Sequence, residues 1–198
     1  MENIFNGIES RSSEIIQSIS QESIDVYQYL SSQLNKTNVN TDYFYQFVYR
    51  SFFRLENAGL TDDFKLKYFE LLESYKKRKD FNYLEILSQL YEIPNKQKNN
   101  TFQFSFVTKM CNIIDNTRPI FDSNVIKVLN LKKTYKKGFN EKYSFYTDQY
   151  SEIEILYKKI FDENLLQKSL LKFDKTFPQN RLTVNKKIDF ILWSEGKN

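Results

Sequence analysis

Only four glycines and three prolines punctuate the 198 residues, so the chain has few positions that favour tight turns, bulges or β-hairpins. Long uninterrupted stretches remain, and their apolar residues recur at intervals of three and four. Tyr45, Val48, Tyr49, Phe52 and Phe53 fall on one helical face. So do Phe64, Tyr68, Phe69, Leu71 and Leu72, and later Phe106, Val107, Met110, Cys111, Ile113 and Ile114. No run alternates with period two, so no sheet is expected. The chain is predicted to be an all-α, compact multi-helix domain.

Start and stop signals place the elements. A first helical region is expected over about 9–34, ending in the polar run 35–38. Thr41 and Asp42 open a helix that runs to Asn57, with Gly59 as its stop. Thr61 caps the next, which ends in the cations Lys76, Lys77, Arg78 and Lys79. Asp80 is expected to cap a helix over 81–91, closed by Pro94. The polar loop 95–100 divides an N-terminal helical part, 1–94, from a second part, 101–198. That second part carries predicted helices over 102–115, 123–131, 148–161, 163–173 and 184–194, with 132–142 as a basic loop around Gly138.

Apolar residues make up 40% and charged residues 27% of the chain, which permits one well-filled core. The 18 Phe and 14 Tyr accompany abundant Lys, Asn and Ile. That pattern is expected of an AT-rich coding sequence, so the aromatic count is not read as base stacking. His is absent and Cys111 is the sole cysteine. Internal disulfides, Cys/His zinc sites and any catalytic triad that needs His are therefore excluded. A single thiol fits a reducing, cytoplasmic setting. Residues 1–20 are polar, without a signal-peptide core, and no stretch approaches the roughly 20 apolar residues of a membrane span. Neither a Gly-rich phosphate loop nor a calcium loop is present, and no cofactor or metal is expected. The net charge of +4 is uneven: residues 1–100 hold 12 Lys/Arg and 14 Asp/Glu, and residues 101–198 hold 17 and 11. A basic second half favours an anionic partner.

One stretch is more specific. It reads Phe106-Val107-Thr108-Lys109-Met110-Cys111-Asn112-Ile113-Ile114-Asp115, then Arg118-Pro119-Ile120-Phe121-Asp122-Ser123-Asn124-Val125. This resembles the core of the helix-hairpin-helix DNA glycosylase superfamily, in particular its 8-oxoguanine glycosylase-like branch. There a short loop leads into a Pro-x-Asp-x-x-Val pattern that opens a helix. Here one extra residue separates Pro119 from Asp122. The C-terminal run Asp189-Phe190-Ile191-Leu192-Trp193-Ser194-Glu195-Gly196 is similar to the last helix of such proteins, an Asp followed by Leu-Trp and then Gly. The resemblance covers roughly 102–131 and 184–196. Residues 95–108 contain no glycine, so the phosphate-binding hairpin of the family is degenerate or missing, and Asn124 stands where a His is frequent.

The resemblance implies a DNA-binding protein of DNA repair, a hydrolase that excises a modified base from duplex DNA, with Asp122 and Lys109 as the catalytic pair. A carboxylate beside the sugar stabilises an oxocarbenium-like transition state, and a lysine amine can form a Schiff base with it. Lys132, Lys133, Lys136 and Lys137 are the expected phosphate contacts. Two alternatives stand beside this reading: a non-catalytic nucleic-acid-binding module on the same scaffold, and a helical protein–protein adaptor. Each residue also has a plainer role. Asp122 is placed to be a helix N-cap, Lys109 a surface lysine, Trp193 a core residue, and Asp189 a partner of Lys186 or Lys187.

Overall fold

A computed structural model describes residues 2–78, 80–132 and 134–197. It is all-helical as expected, with 67% helix, eleven α-helices and no strand among the described residues. The chain organises into two compact units, one formed by Asp25–Asp115 and the other by Met1–Ile24 together with Asn116–Asn198. The division falls inside one helix and just after another. It does not follow the polar loop 95–100.

In the unit Asp25–Asp115, most of α3 (Gln21–Gln33) is followed by α4 (Tyr43–Phe53), α5 (Asp62–Tyr75), α6 (Tyr83–Tyr91) and α7 (Phe104–Ile114). Asp42 caps α4, its Oδ1 accepting the Tyr45 N–H at 2.9 Å while Thr37 donates to Oδ2 at 2.7 Å. Those bonds, led by the Tyr45 amide, hold the Asp42 carboxyl below its ordinary value. The expected helix to Asn57 stops earlier. Arg54 adopts φ 60°, closing α4, and a single 3₁₀ turn, Leu55–Ala58, carries the chain to Gly59 at φ 65°. Thr61 caps α5 as expected, accepting the Phe64 N–H at 3.3 Å. The cap of α6 is Asn82, not Asp80, with Oδ1 accepting the Glu85 N–H at 3.1 Å. The core of this unit is rich in tyrosine. Tyr49 donates to Tyr68 at 2.8 Å, and Tyr68 donates to the Phe106 carbonyl at 2.8 Å. Tyr27 reaches Asn112 Oδ1 at 3.1 Å and Tyr45 reaches the Leu30 carbonyl at 3.2 Å. Burial drives the Tyr49 and Tyr68 hydroxyls well above their ordinary pKa, so they act as neutral hydrogen-bonding groups.

The other unit contains α1 (Glu2–Ser10), α2 (Ser12–Gln17), α8 (Ser123–Val128), α9 (Phe139–Asp162), α10 (Gln167–Thr176) and α11 (Val184–Lys197). The helical region expected over about 9–34 is made of the end of α1, then α2 and α3. Ser18 donates to the Ile15 carbonyl at 2.8 Å, and Ser20 accepts the Ser23 N–H at 3.2 Å. These serine hydroxyls offer the backbone partners that end one helix and start the next. Ser194 of α11 donates to the Ile15 carbonyl at 3.1 Å, and Glu9 accepts the Ser169 N–H at 3.1 Å, which join α2 to α11 and α1 to α10. α8 closes through Asn130 at φ 51°, with the Leu131 N–H on the Ile126 carbonyl at 3.0 Å, a left-handed C-terminal cap. α9 then begins at Phe139 rather than near 148, so Lys142 lies on a helix and the basic loop shortens to 132–138. No helix among the described residues is long and apolar enough to cross a membrane.

Candidate nucleic-acid interface

Of the two segments that carry the resemblance, roughly 102–131 and 184–196, the α8 part of the first packs on α11 of the second, while α7 belongs to the other unit. α8 and α11 come close at Gly196, where a Cβ would stand 2.5 Å from the Asn124 carbonyl oxygen. Only glycine lets the two backbones come this near. Asn124 Nδ2 donates to the Trp193 carbonyl at 3.4 Å and Lys127 Nζ to the Gly196 carbonyl at 3.2 Å. Trp193 is half-buried rather than fully in the core, and Lys197 Nζ sits 3.4 Å from the centroid of its ring.

Asp122 is extended and caps α8. Its Oδ1 accepts the Asn124 N–H at 2.8 Å and the Val125 N–H at 3.3 Å, while Oδ2 takes no hydrogen bond among the described residues. The plainer role is therefore present: the carboxylate satisfies two amides of its own helix. The preceding loop is pinned from below. Asp189 of α11 accepts the Ile120 N–H at 3.2 Å and the Tyr157 hydroxyl at 2.6 Å, and its Oδ2 lies 3.5 Å from Lys186 Nζ. Tyr150 donates to the Pro119 carbonyl at 3.0 Å, and Thr183 donates to the Asn116 carbonyl at 2.8 Å. Of the two cations considered for Asp189, Lys186 is its partner, whereas Lys187 pairs with Asp174 at 2.6 Å. Burial raises the Asp189 carboxyl above its ordinary value, opposed by Lys186 and by the Tyr157 hydroxyl.

Lys109 belongs to the other unit. It is half-buried on α7, with Nζ 3.5 Å from the Phe53 carbonyl and 5.0 Å from the Phe106 ring centroid. Lys132, Lys136 and Lys137 are exposed in the loop that follows α8, and Lys133 lies outside the described residues. The loop start is tied to α9 by Gln149 Nε2, which donates to the Lys132 carbonyl at 2.8 Å. Within the loop, Lys136 N–H donates to Thr134 Oγ1 at 3.1 Å. Between them stands Tyr135, 94% exposed. In a chain with 18 Phe and 14 Tyr, composition does not single out Tyr135. The available signal was position: this tyrosine has two lysines on its C-terminal side and two more just beyond Thr134, and no helical stripe claims it. No three potential metal-ligating side chains come together among the described residues. No family model, no curated protein and no solved structure matches this chain.

Proposed function

We propose that the protein binds DNA and that the loop 132–137 is its contact with the phosphate backbone. The observation that carries this reading is the uncompensated charge of the loop. Lys132, Lys136 and Lys137 are exposed and make no ion pair among the described residues, and no acidic residue occurs between Asp122 and Glu141. Lysines held by opposite charges would have to give up those partners to meet phosphate, whereas these have none to surrender. Anisotropy of a labelled duplex tests the reading. Affinity should fall as salt rises, and replacing Lys132, Lys133, Lys136 and Lys137 with Glu should weaken binding at every sequence. Unchanged binding by that variant removes the loop from the interface.

A second reading, base excision at Asp122, is supported by one observation: α8 and α11, which carry the Asp122 and C-terminal parts of the glycosylase resemblance, pack on each other, with Asp189 bonded into the Pro119–Asp122 loop. Capping occupies only one oxygen of Asp122, which leaves the other for a developing positive charge on a sugar. Asp122→Asn keeps a capping oxygen, so the fold should survive while base release is lost. Borohydride trapping on abasic or damaged DNA tests Lys109: a cross-link in the wild type that disappears in Lys109→Gln identifies it as the nucleophile. Absence of base release from oxidised, alkylated and deaminated substrates leaves the binding function alone.

A further inference from the structure

We infer that Tyr135 is a stacking platform for an unpaired base, so that the nucleic acid engaged by the 132–137 loop is single-stranded. This rests on the DNA-binding reading above and names its substrate class.

Tyr135 is the most exposed large hydrophobic side chain among the described residues, at 94%, ahead of Tyr43 at 77%. Five tyrosines elsewhere in the chain are treated differently: Tyr27, Tyr45, Tyr49, Tyr68 and Tyr157 are fully buried with their hydroxyls bonded inside. Leaving an aromatic ring wholly in water forgoes the stabilisation that burial would bring. The ring is not needed to anchor the loop, because the Gln149 bond to the Lys132 carbonyl and the Thr134 turn shape the backbone on their own.

The neighbours of the ring specify the ligand. Exposed Lys132 precedes it, exposed Lys136 and Lys137 follow it, and the only acid near the loop in sequence, Glu141, is on α9. Cations flanking an exposed aromatic match a strand that presents phosphates on one edge and a free π-face on the other. Non-specific single-strand binders combine the same two parts, a positive track and stacking rings. A duplex offers its phosphates but keeps its base faces stacked internally, so it would engage the lysines and leave Tyr135 idle. An anionic membrane would also attract the lysines. It would require apolar area for insertion, and the segment Lys132–Lys137 holds no aliphatic side chain and just the one ring.

The experiment compares the full chain with three variants on a single-stranded oligonucleotide of mixed sequence, on the same sequence as a duplex, and on phosphatidylserine-containing vesicles. Tyr135→Ala should lower single-strand affinity by ~10-fold or more, the loss of one base–aromatic stack, and leave duplex affinity unchanged. Tyr135→Trp should retain or raise single-strand affinity. The four-lysine Glu variant should lose both nucleic-acid ligands. Because Tyr135 is exposed, none of the tyrosine changes should alter the helical circular dichroism signal. Single-strand affinity unaffected by Tyr135→Ala overturns the inference while leaving the DNA-binding reading intact. An equal loss on single strand and duplex also overturns it, since the ring would then serve the loop rather than a base. A wild-type chain that binds neither oligonucleotide overturns the reading and the inference together, and Tyr135-dependent binding to vesicles in that case assigns the loop to a lipid surface.

Discussion

The two compact units each bury polar groups, and one network in each shows a different way of doing so. In the unit Asp25–Asp115 the deep polar atoms are mostly neutral tyrosine hydroxyls, and the chain from Tyr49 through Tyr68 to the Phe106 carbonyl satisfies three groups with two bonds of 2.8 Å. In the unit that holds α8 and α11, a charged pair is buried alongside neutral groups such as Ser169 and Ser194. Lys186 is 3% exposed and Asp189 is 4% exposed, and they meet each other and Tyr157 beneath the Pro119–Asp122 loop. Neutral hydroxyls cost little to desolvate once bonded, whereas two buried charges cost several kcal/mol each before their attraction offsets it. A buried ion pair is thus a poor way to stabilise a unit and a good way to fix one loop in one place. Here the loop so fixed is the one that presents Asp122.

That contrast can be broken at three levels. The largest effect is expected at Asp189→Asn. Asparagine keeps an oxygen for the Ile120 amide but removes the carboxylate that faces the buried Lys186 ammonium, at a cost of about 3–5 kcal/mol in denaturant unfolding. Adding Lys186→Met should restore most of that loss. If the single variant is as stable as wild type, the pair is not what holds this unit's interior. Tyr68→Phe should cost less, about 1–3 kcal/mol, by stranding the Tyr49 hydroxyl and removing the added bond to the Phe106 carbonyl. A loss as large as that at Asp189 would mean that the neutral network matters as much as the charged one. The smallest effect separates two neighbouring caps: Asn82→Ala should cost ~1 kcal/mol, and Asp80→Ala should leave the melting temperature unchanged, since Asn82 alone bonds the first turn of α6.

Acid gives a further view of the same difference in sign. Asp42 is held below its ordinary value by the Tyr45 amide, so its contribution is present above about pH 3.8 and is lost as pH falls through the lower native value. Asp189 is raised by burial, so folding favours its protonated form, an advantage present below about pH 3.8 and lost as pH rises through the native value.

Some of this was legible in the residues. Scarce Gly and Pro with helical apolar spacing determine the all-α class, because local periodicity and missing turn residues are properties of the chain itself. Thr61 was legible as a cap for the same reason. Helix ends were less so. Asp80 and Asn82 are both good capping residues, and backbone geometry chose Asn82. The start of α9 at Phe139 was hidden by the lysines around it, which read as loop although several exposed polar positions on a helix look the same.

What only the tertiary structure decided is which distant segments meet. Counted by sequence halves the charge is −2 and +6, yet by compact unit it becomes +1 for Asp25–Asp115, from 12 Lys/Arg and 11 Asp/Glu, and +3 for the rest, from 17 and 14. The acidic N-terminal residues join the basic C-terminal ones, so the basic character that matters is concentrated in one loop rather than spread over a half. The pairing of Asp189 with Lys186 instead of Lys187, and the exposure of Tyr135 among thirteen other tyrosines, have the same origin. A sequence states what each side chain is capable of, but burial and partnership depend on contacts between residues far apart in the chain, and those exist only once it is folded.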